Sequence, residues 1–214
     1  MVAAGLLPLL VSEPALAAAD AVPSALAAYG HYLGVILSMG CLVAERLTVK
    51  AGVTDEESNK LAATDALYGI AGLLLVGTGY LRATQYGKGW EFYAHEPIFW
   101  AKMTFVGVLG ALSFFPTTKF IQRAVAIANA EKTGEVVAPL SEKLAGRLTS
   151  VINAELLALC SIPLAATLMA RGVGYGDGWF PWQAGAATTA LALFGLGGKY
   201  VKEALDWQED ELAE

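Results

Sequence analysis

Long apolar runs constrain this chain more than any other feature of its sequence. Five stretches have few charged side chains and close to the length of a membrane span, at 24–47, 66–83, 97–115, 148–170 and 182–200. A bilayer offers the backbone no hydrogen-bond partner, so a run of roughly 20 apolar residues crosses it as a helix. The sequence therefore predicts an all-α fold, an integral membrane helical bundle with four core transmembrane helices and a fifth.

The composition agrees with a membrane setting and excludes several classes of function. Of the 214 residues, 56% are hydrophobic and 16% are charged, whereas roughly a quarter of residues are charged in soluble domains. The net charge is −6, and acidic residues gather at the C-terminus, which argues against a nucleic-acid partner. Cys41 and Cys160 both lie in apolar runs, so we interpret them as small buried residues without a disulfide or a metal.

The predicted spans divide the chain into three parts. Residues 1–23 include a short apolar run followed by ALAAAD at 15–20, and this pattern predicts either a signal-peptide remnant or an interfacial N-terminal segment. Residues 24–203 form a single transmembrane bundle, and 204–214 form an acidic, solvated C-terminal tail. Within the bundle, Pro116 is expected to end the third span.

The connection after the third span is long and polar. From 118 to 147 it combines amphipathic helical spacing with breaks at Gly134 and Pro139, which predicts surface helices and no separate domain. The loops that follow the odd-numbered spans hold ten basic residues, and the other loops hold three. Because basic residues resist translocation, the N-terminus is predicted to lie outside and the C-terminus inside.

The two histidines are candidate cofactor ligands. His31 lies within the first predicted span, and His95 lies beside Glu96 at the start of the third. Two imidazoles on neighbouring helices can bind a haem iron, and one can hold the magnesium of a chlorophyll. The alternative for His31, within the small-residue pattern GHYLG, is a hydrogen bond across a helix contact. The alternative for His95 and Glu96 is a purely structural place at the mouth of the span.

Charged residues inside the predicted spans are the second group of candidates. Lys102 lies in the third span and Glu155 in the fourth, while Arg46 and Asp65 lie at the inner ends of the first two. A charge near the bilayer centre costs a few kcal/mol unless it is paired or hydrated. The interpretation we favour is a structural ion pair for Glu155, with Arg46 as a partner of Glu155 or Asp65. A small transporter using Lys102 and Glu155 is an alternative.

Aromatic residues cluster at the predicted outer side, as expected for rings that favour the headgroup layer. These residues are Tyr80, Tyr86, Trp90, Phe92, Tyr93, Phe99, Trp100, Phe180 and Trp182. We find no phosphate-binding loop, nucleotide fingerprint, zinc spacing or nucleophile motif. The sequence thus predicts neither a catalytic residue nor a protein-bound metal site, and favours a protein that is not an enzyme.

Three segments resemble a family of four-helix membrane proteins of cyanobacteria and plastids, known as domain of unknown function 2214. They are HYLGVILSMGCLVAERL (31–47), DALYGIAGLLLVGTGYLRATQYGKGWEFYAHEPIFWAKM (65–103) and FFPTTKFIQ (114–122). The resemblance implies a chloroplast membrane, the thylakoid in preference to the inner envelope, and it implies no reaction. On the predicted topology the N-terminus would be lumenal and the C-terminus stromal. The early His of the first span and the polar residue of the third are also similar to haem-binding bundles such as bacterial protoporphyrinogen oxidase.

Together these features predict a multi-pass chloroplast membrane protein that serves as an accessory or assembly subunit of a larger complex. The complex expected is a photosynthetic one, a photosystem or antenna, with the lipid bilayer and other membrane proteins as partners. Its cofactor is unknown; chlorophyll or carotenoid is expected before haem b. The alternatives are a b-type haem protein that transfers electrons or oxidises a porphyrin, and a small transporter.

Overall fold

The computed structural model describes residues 13–175 and 179–208, with side chains described from residue 21 onward. The described residues form seven α-helices and no strand. The helices are α1 (Glu13–Thr48), α2 (Asp55–Thr84), α3 (Trp90–Ala94), α4 (Pro97–Thr133), α5 (Glu142–Ala170), α6 (Trp182–Ala190) and α7 (Leu196–Leu205). A π-helical turn, Leu191–Gly195, joins α6 to α7.

Four of the described helices are long and apolar enough to cross a membrane, namely α1 from Ala21 onward, α2, α4 and α5. This confirms the all-α bundle with four core transmembrane helices. The fifth predicted span, 182–200, lies within α6, the π turn and α7, which follow one another without a break from Trp182 to Leu205. The backbone stays in the right-handed helical region where these pieces join, so the π turn is a bulge within one helical stretch. That this stretch crosses the membrane stays a prediction.

The long helices run alternately up and down and expose apolar side chains around the bundle. Ile36 on α1, Leu73 on α2 and Leu157 on α5 are each more than 60% exposed. Apolar side chains facing outward on every long helix are what a hydrocarbon solvent permits and water penalises. The exposed surface therefore supports the membrane setting as strongly as the length of the helices does.

The buried core lies where α4 and α5 pack against α1 and α2. On α5 the fully buried residues Leu148, Ile152 and Leu159 follow helical spacing, so they form one stripe along the helix. Phe115 of α4 and Leu42 of α1 are also completely buried in the same cluster. Residues of this stripe also position Glu155, which occurs one turn after Ile152.

Local sequence signals account for the boundaries of the helices. Thr54 and Glu57 form a capping box at the start of α2, with hydrogen bonds of 3.1 and 2.9 Å between each side chain and the other residue's backbone N–H. Ser141 caps α5 in the same manner through Leu144 N–H. Gly134 ends α4 in a left-handed conformation with φ of 75°, which glycine adopts without strain. The predicted break at Gly134 is thus confirmed.

The prediction that Pro116 ends the third span is wrong. Pro116 is buried inside α4, which continues to Thr133. A proline within a helix loses its own backbone hydrogen bond, but the chain stays helical on both sides of Pro116. The amphipathic stretch after Thr117 is therefore a continuation of the same helix, and not a separate surface helix as predicted.

Two smaller predictions also need correction. Cys41 is buried as expected, but Cys160 lies on the exposed side of α5. The start of the C-terminal tail is not simply solvated, because the Trp207 ring packs edge-on against Phe115 at 5.5 Å between ring centroids. Of the predicted N-terminal segment 1–23, the part from Glu13 onward belongs to α1, and residues 1–12 lie outside the described residues. Residues 209–214 of the predicted tail also lie outside them.

Candidate functional site

A cavity of about 700 Å³ opens between one end of α1, α2, α4 and α5, with α3 at its edge. This is within the range of roughly 300–1,000 Å³ that holds a small ligand or cofactor. We call it the His31 cavity, because His31 lines it together with Arg82, Lys102, Phe99 and Arg171. Two predicted site residues, His31 and Lys102, are therefore brought together by the fold.

The hydrogen bonds of His31 determine which of its ring nitrogens is available. Its Nδ1 lies 3.1 Å from the Thr78 hydroxyl oxygen, and that hydroxyl donates its single hydrogen to the carbonyl of Leu74 at 2.6 Å. Thr78 must then accept from His31, so Nδ1 carries the proton. In the neutral imidazole this leaves Nε2 with a free lone pair, the state that binds a metal.

The contact between α1 and α2 at this level depends on small residues. A Cβ on Gly79 would lie 3.3 Å from Cε1 of His31, and a Cβ on Gly30 would lie 3.1 Å from the methyl carbon of Thr78. Glycine at both positions lets the helices approach closely enough for the His31–Thr78 bond. The structure thus contains the hydrogen bond across a helix contact that was one of the two interpretations of His31. This bond uses Nδ1 and does not involve Nε2.

Three cations of the cavity lie over aromatic rings. The Arg82 guanidinium is 5.3 Å from the ring centroid of Tyr32. The ammonium groups of Lys88 and Lys102 lie 4.1 and 5.3 Å from the rings of Phe92 and Phe99. Such contacts partly offset the loss of hydration. Among the described residues, Arg82, Lys88 and Lys102 form no ion pair.

The aromatic residues next to the cavity form a packed cluster, and only part of it resembles the predicted interfacial belt. Phe99 and Trp100 are buried, and Trp90 stands edge-on to both at about 6 Å. The Trp100 indole donates to the carbonyl of Ala94 at 2.7 Å. Phe99 and Trp100 thus pack α3 against α4 inside the protein, while the depth of the aromatic residues in the membrane stays a prediction.

His95 and Glu96 lie outside the His31 cavity. The Nδ1 of His95 is 2.9 Å from the carbonyl oxygen of Glu91, and its side chain is partly exposed. Glu96 occupies the position just before α4 and is fully buried, but neither carboxylate oxygen has a hydrogen-bond partner among the described residues. The structure therefore does not bring His31 and His95 together around one ligand.

A second group of ionisable side chains lies farther along the bundle. Glu45 of α1, Asp65 of α2 and Glu155 of α5 are buried near one another in the core, and we call them the acid cluster. All three are at most 6% exposed. Asp65 accepts a hydrogen bond of 2.8 Å from Thr117, while Glu45 and Glu155 have no hydrogen-bond partner of good geometry. The phenol of Tyr68 borders the cluster, nearest to Glu155.

The acid cluster overturns two expectations. Glu155 was expected to form an ion pair, but its charged neighbours are other acids. Arg46 donates to the side-chain oxygen of Asn153 at 2.8 Å and forms no ion pair with Glu155 or Asp65. The reason is geometric: Arg46 follows Glu45 directly, so it leaves α1 on a different side, about 100° around the helix.

The acid cluster and the His31 cavity are separate sites. His31 and Glu45 are 14 positions apart on α1, which corresponds to roughly 20 Å along the helix axis. Lys102 belongs to the cavity and Glu155 to the acid cluster, so the two do not form one transport site. Within the described part of the chain, no group of three or more His, Cys, Asp or Glu side chains is arranged to hold a metal ion.

Sequence reasoning gave too little weight to three residues of these sites. Glu45 shares the spacing of Ser38, Cys41 and Leu42, which places it on the buried face of α1; this spacing was sufficient to predict its burial. Thr78 and Arg82, one turn apart on α2, had no distinguishing signal. A threonine in a helix commonly bonds to its own backbone, and an arginine in a last turn commonly faces water.

Comparison with known proteins gives one match. A family model described as a predicted membrane protein (DUF2214) covers residues 23–174. The matched region contains the four long helices, the acid cluster and every residue of the His31 cavity, and it ends before α6. No curated protein and no solved structure matches the chain.

Proposed function

The chain belongs to the DUF2214 family of predicted membrane proteins, and we propose that it is a multi-pass membrane protein that binds a tetrapyrrole at His31 and is not an enzyme. In this proposal the protein serves as an accessory or assembly subunit of a larger membrane complex. The observation that carries the proposal is that His31 lines a cavity of about 700 Å³ while the Thr78 hydroxyl engages its Nδ1.

A tetrapyrrole suits the cavity because it requires little from the protein. The ring supplies four ligands to its own metal, so one imidazole is sufficient to complete the coordination. Thr78 would orient the imidazole through Nδ1, which is the usual role of the group behind a metal-binding histidine. The rings of Phe92, Tyr93 and Phe99 line the same cavity and offer flat apolar surfaces to a flat ligand.

The finer parts of the proposal come from the resemblance described above. It favours a plastid membrane, the thylakoid before the inner envelope, and a photosystem or antenna as the larger complex. The orientation proposed from the basic residues places the N-terminus in the lumen and the C-terminus in the stroma. The outward-facing side chains of α1 and α2, such as Leu26 and Leu73, are suited equally to lipid and to the apolar surface of a membrane partner.

Replacing His31 by alanine tests the ligand. The protein purified in mild detergent is expected to show the Soret band of a bound tetrapyrrole, and His31→Ala is expected to lose at least about nine-tenths of that absorbance, because the metal loses its only protein ligand. His95→Ala is the matched control and should keep the spectrum, since His95 does not line the cavity. A parent protein without a Soret band after reconstitution with chlorophyll and with haem would refute the proposal.

Native electrophoresis of gently solubilised membranes tests the assembly role. The protein is expected to migrate with a larger complex, well above the position of its own mass of 22.4 kDa in a detergent micelle. Crosslinking in intact membranes before solubilisation controls for dissociation by detergent. Migration of the crosslinked protein on its own would contradict an accessory or assembly role and leave the binding proposal standing.

A further inference from the structure

The His31 cavity carries an excess of positive charge. Its lining includes the basic residues Arg82, Lys88, Lys102 and Arg171, and none of the described residues that line it is acidic. Arg171 donates to the backbone carbonyl of Thr167 at 3.1 Å, which satisfies a donor without cancelling the charge. A protein built only to hold a neutral ring would not need this arrangement.

Lys102 is the most informative of these cations. It follows the first turn of α4 inside an apolar span, and it and Arg82 both lie close enough to His31 to interact electrostatically. A cation at membrane depth is expensive unless an anion or water accompanies it. The nearby Phe99 ring, 5.3 Å away, compensates only part of that cost.

We propose that the His31 cavity selects an amphiphile with acidic oxygens, carboxylate or phosphate, that pair with Lys102 and Arg82. The inference rests on the proposed function only in using the same cavity, because the excess of positive charge favours an anionic ligand whether or not His31 binds a metal. For a tetrapyrrole, the lining favours a ring with free carboxylates over one whose carboxylates are esterified. An anionic lipid headgroup satisfies the same cations through its phosphate.

Two pairs of ligands, each with an acidic and a neutral member, distinguish a tetrapyrrole from a lipid as the source of the acidic oxygens. Iron protoporphyrin IX, which has two free carboxylates, and its dimethyl ester are titrated against the protein in nanodiscs of phosphatidylcholine. The diacid is expected to bind at least about tenfold more tightly, the effect of a lost charge-assisted hydrogen bond. In a second arm, native mass spectrometry compares retention of phosphatidylglycerol with that of phosphatidylcholine.

Two variants assign the selectivity to the named cations. Lys102→Met and Arg82→Gln should each reduce the preference for the diacid, and for phosphatidylglycerol, by at least about tenfold. Lys60→Met is the matched control, because Lys60 pairs with Glu56 at the far end of α2 and should change nothing. His31→Ala should weaken the binding of the diacid and of the ester equally, because both lose the same metal ligand. If it does not, a tetrapyrrole is not the ligand, but the preference for acidic oxygens is unaffected.

The outcomes have definite meanings. Selectivity for the diacid supports the inference with a tetrapyrrole as source, and selectivity for phosphatidylglycerol supports it with a lipid as source. If the parent protein prefers neither acidic ligand over its neutral counterpart, the inference is wrong. It is also wrong if both preferences persist in the double variant of Lys102→Met and Arg82→Gln.

Discussion

Phe115→Ala is expected to lower the free energy of unfolding by about 3–5 kcal/mol, the usual cost of removing a fully buried aromatic ring. The Phe115 side chain on α4 has no exposed surface, and it contacts α5 and the segment that follows α7. Trp207 stands edge-on to the ring at 5.5 Å between ring centroids, and the Arg147 guanidinium lies 5.7 Å from the ring centroid. The alanine would leave a cavity lined by these side chains.

Equilibrium unfolding in detergent micelles, followed by far-ultraviolet circular dichroism, measures this effect. Phe194→Ala is the control, because the Phe194 ring is 74% exposed and its loss should cost little. Limited proteolysis should also cut Phe115→Ala faster near Trp207, since that side chain loses its packing partner. Equal stability of the two variants would mean that the core is not where the structure places it.

Glu155→Leu is expected to act in the opposite direction and raise the free energy of unfolding by about 1–4 kcal/mol, the range seen when buried ionic groups are replaced by apolar ones of similar size. Glu155 is fully buried, its oxygens have no hydrogen-bond partner of good geometry, and its charged neighbours Glu45 and Asp65 are also acidic. Leucine would remove both the desolvation cost and the repulsion.

Glu203→Leu is the matched control for this prediction. Glu203 accepts two hydrogen bonds from Arg147, at 2.6 and 2.9 Å, and both side chains are about 30% exposed. Its loss should lower the free energy of unfolding by about 1–2 kcal/mol. Thermal unfolding of both variants in the same detergent gives the comparison. Destabilisation by Glu155→Leu as large as that by Glu203→Leu would show that the Glu155 carboxyl has a stabilising partner.

A stabilising effect of Glu155→Leu would have a functional implication. An acid that lowers stability at the centre of a bundle is a candidate functional group. The three carboxyls and Tyr68 come from three different helices, so packing of those helices assembles the group.

Element type and membrane setting could be predicted from the sequence because they depend on local properties. Hydropathy and length gave the four long helices, and Gly134 marked the end of α4. The end of the helix could not be predicted from Pro116, because the rule for proline describes an isolated helix, whereas α4 continues through Pro116 with its ring buried in the core. The burial of Glu45 was also predictable, since its spacing from Leu42 and Ser38 follows one face of α1.

The functional site could be predicted only in part, because it is assembled across helices. His31 and Lys102 stood out as polar residues in apolar spans, and the fold brings them together. Arg82, which lines the same cavity, comes from a third helix. The periodicity of one helix does not indicate its axial position relative to its neighbours. For the same reason the expected ion pair between Arg46 and Glu155 is wrong, because Arg46 donates a hydrogen bond to Asn153 instead.

The length of α4 has a practical consequence for imaging. Its 37 residues extend roughly 55 Å, whereas the hydrocarbon core of a bilayer is roughly 30 Å thick, so part of the helix projects beyond the hydrocarbon core. Arg123 links this projecting part to α2 and to the loop before α5, by donating to the Ser58 hydroxyl at 2.7 Å and to the Ala138 carbonyl at 2.8 Å. An antibody fragment raised against the projecting end of α4 would report the tilt of the bundle and supply the mass that electron cryo-microscopy needs.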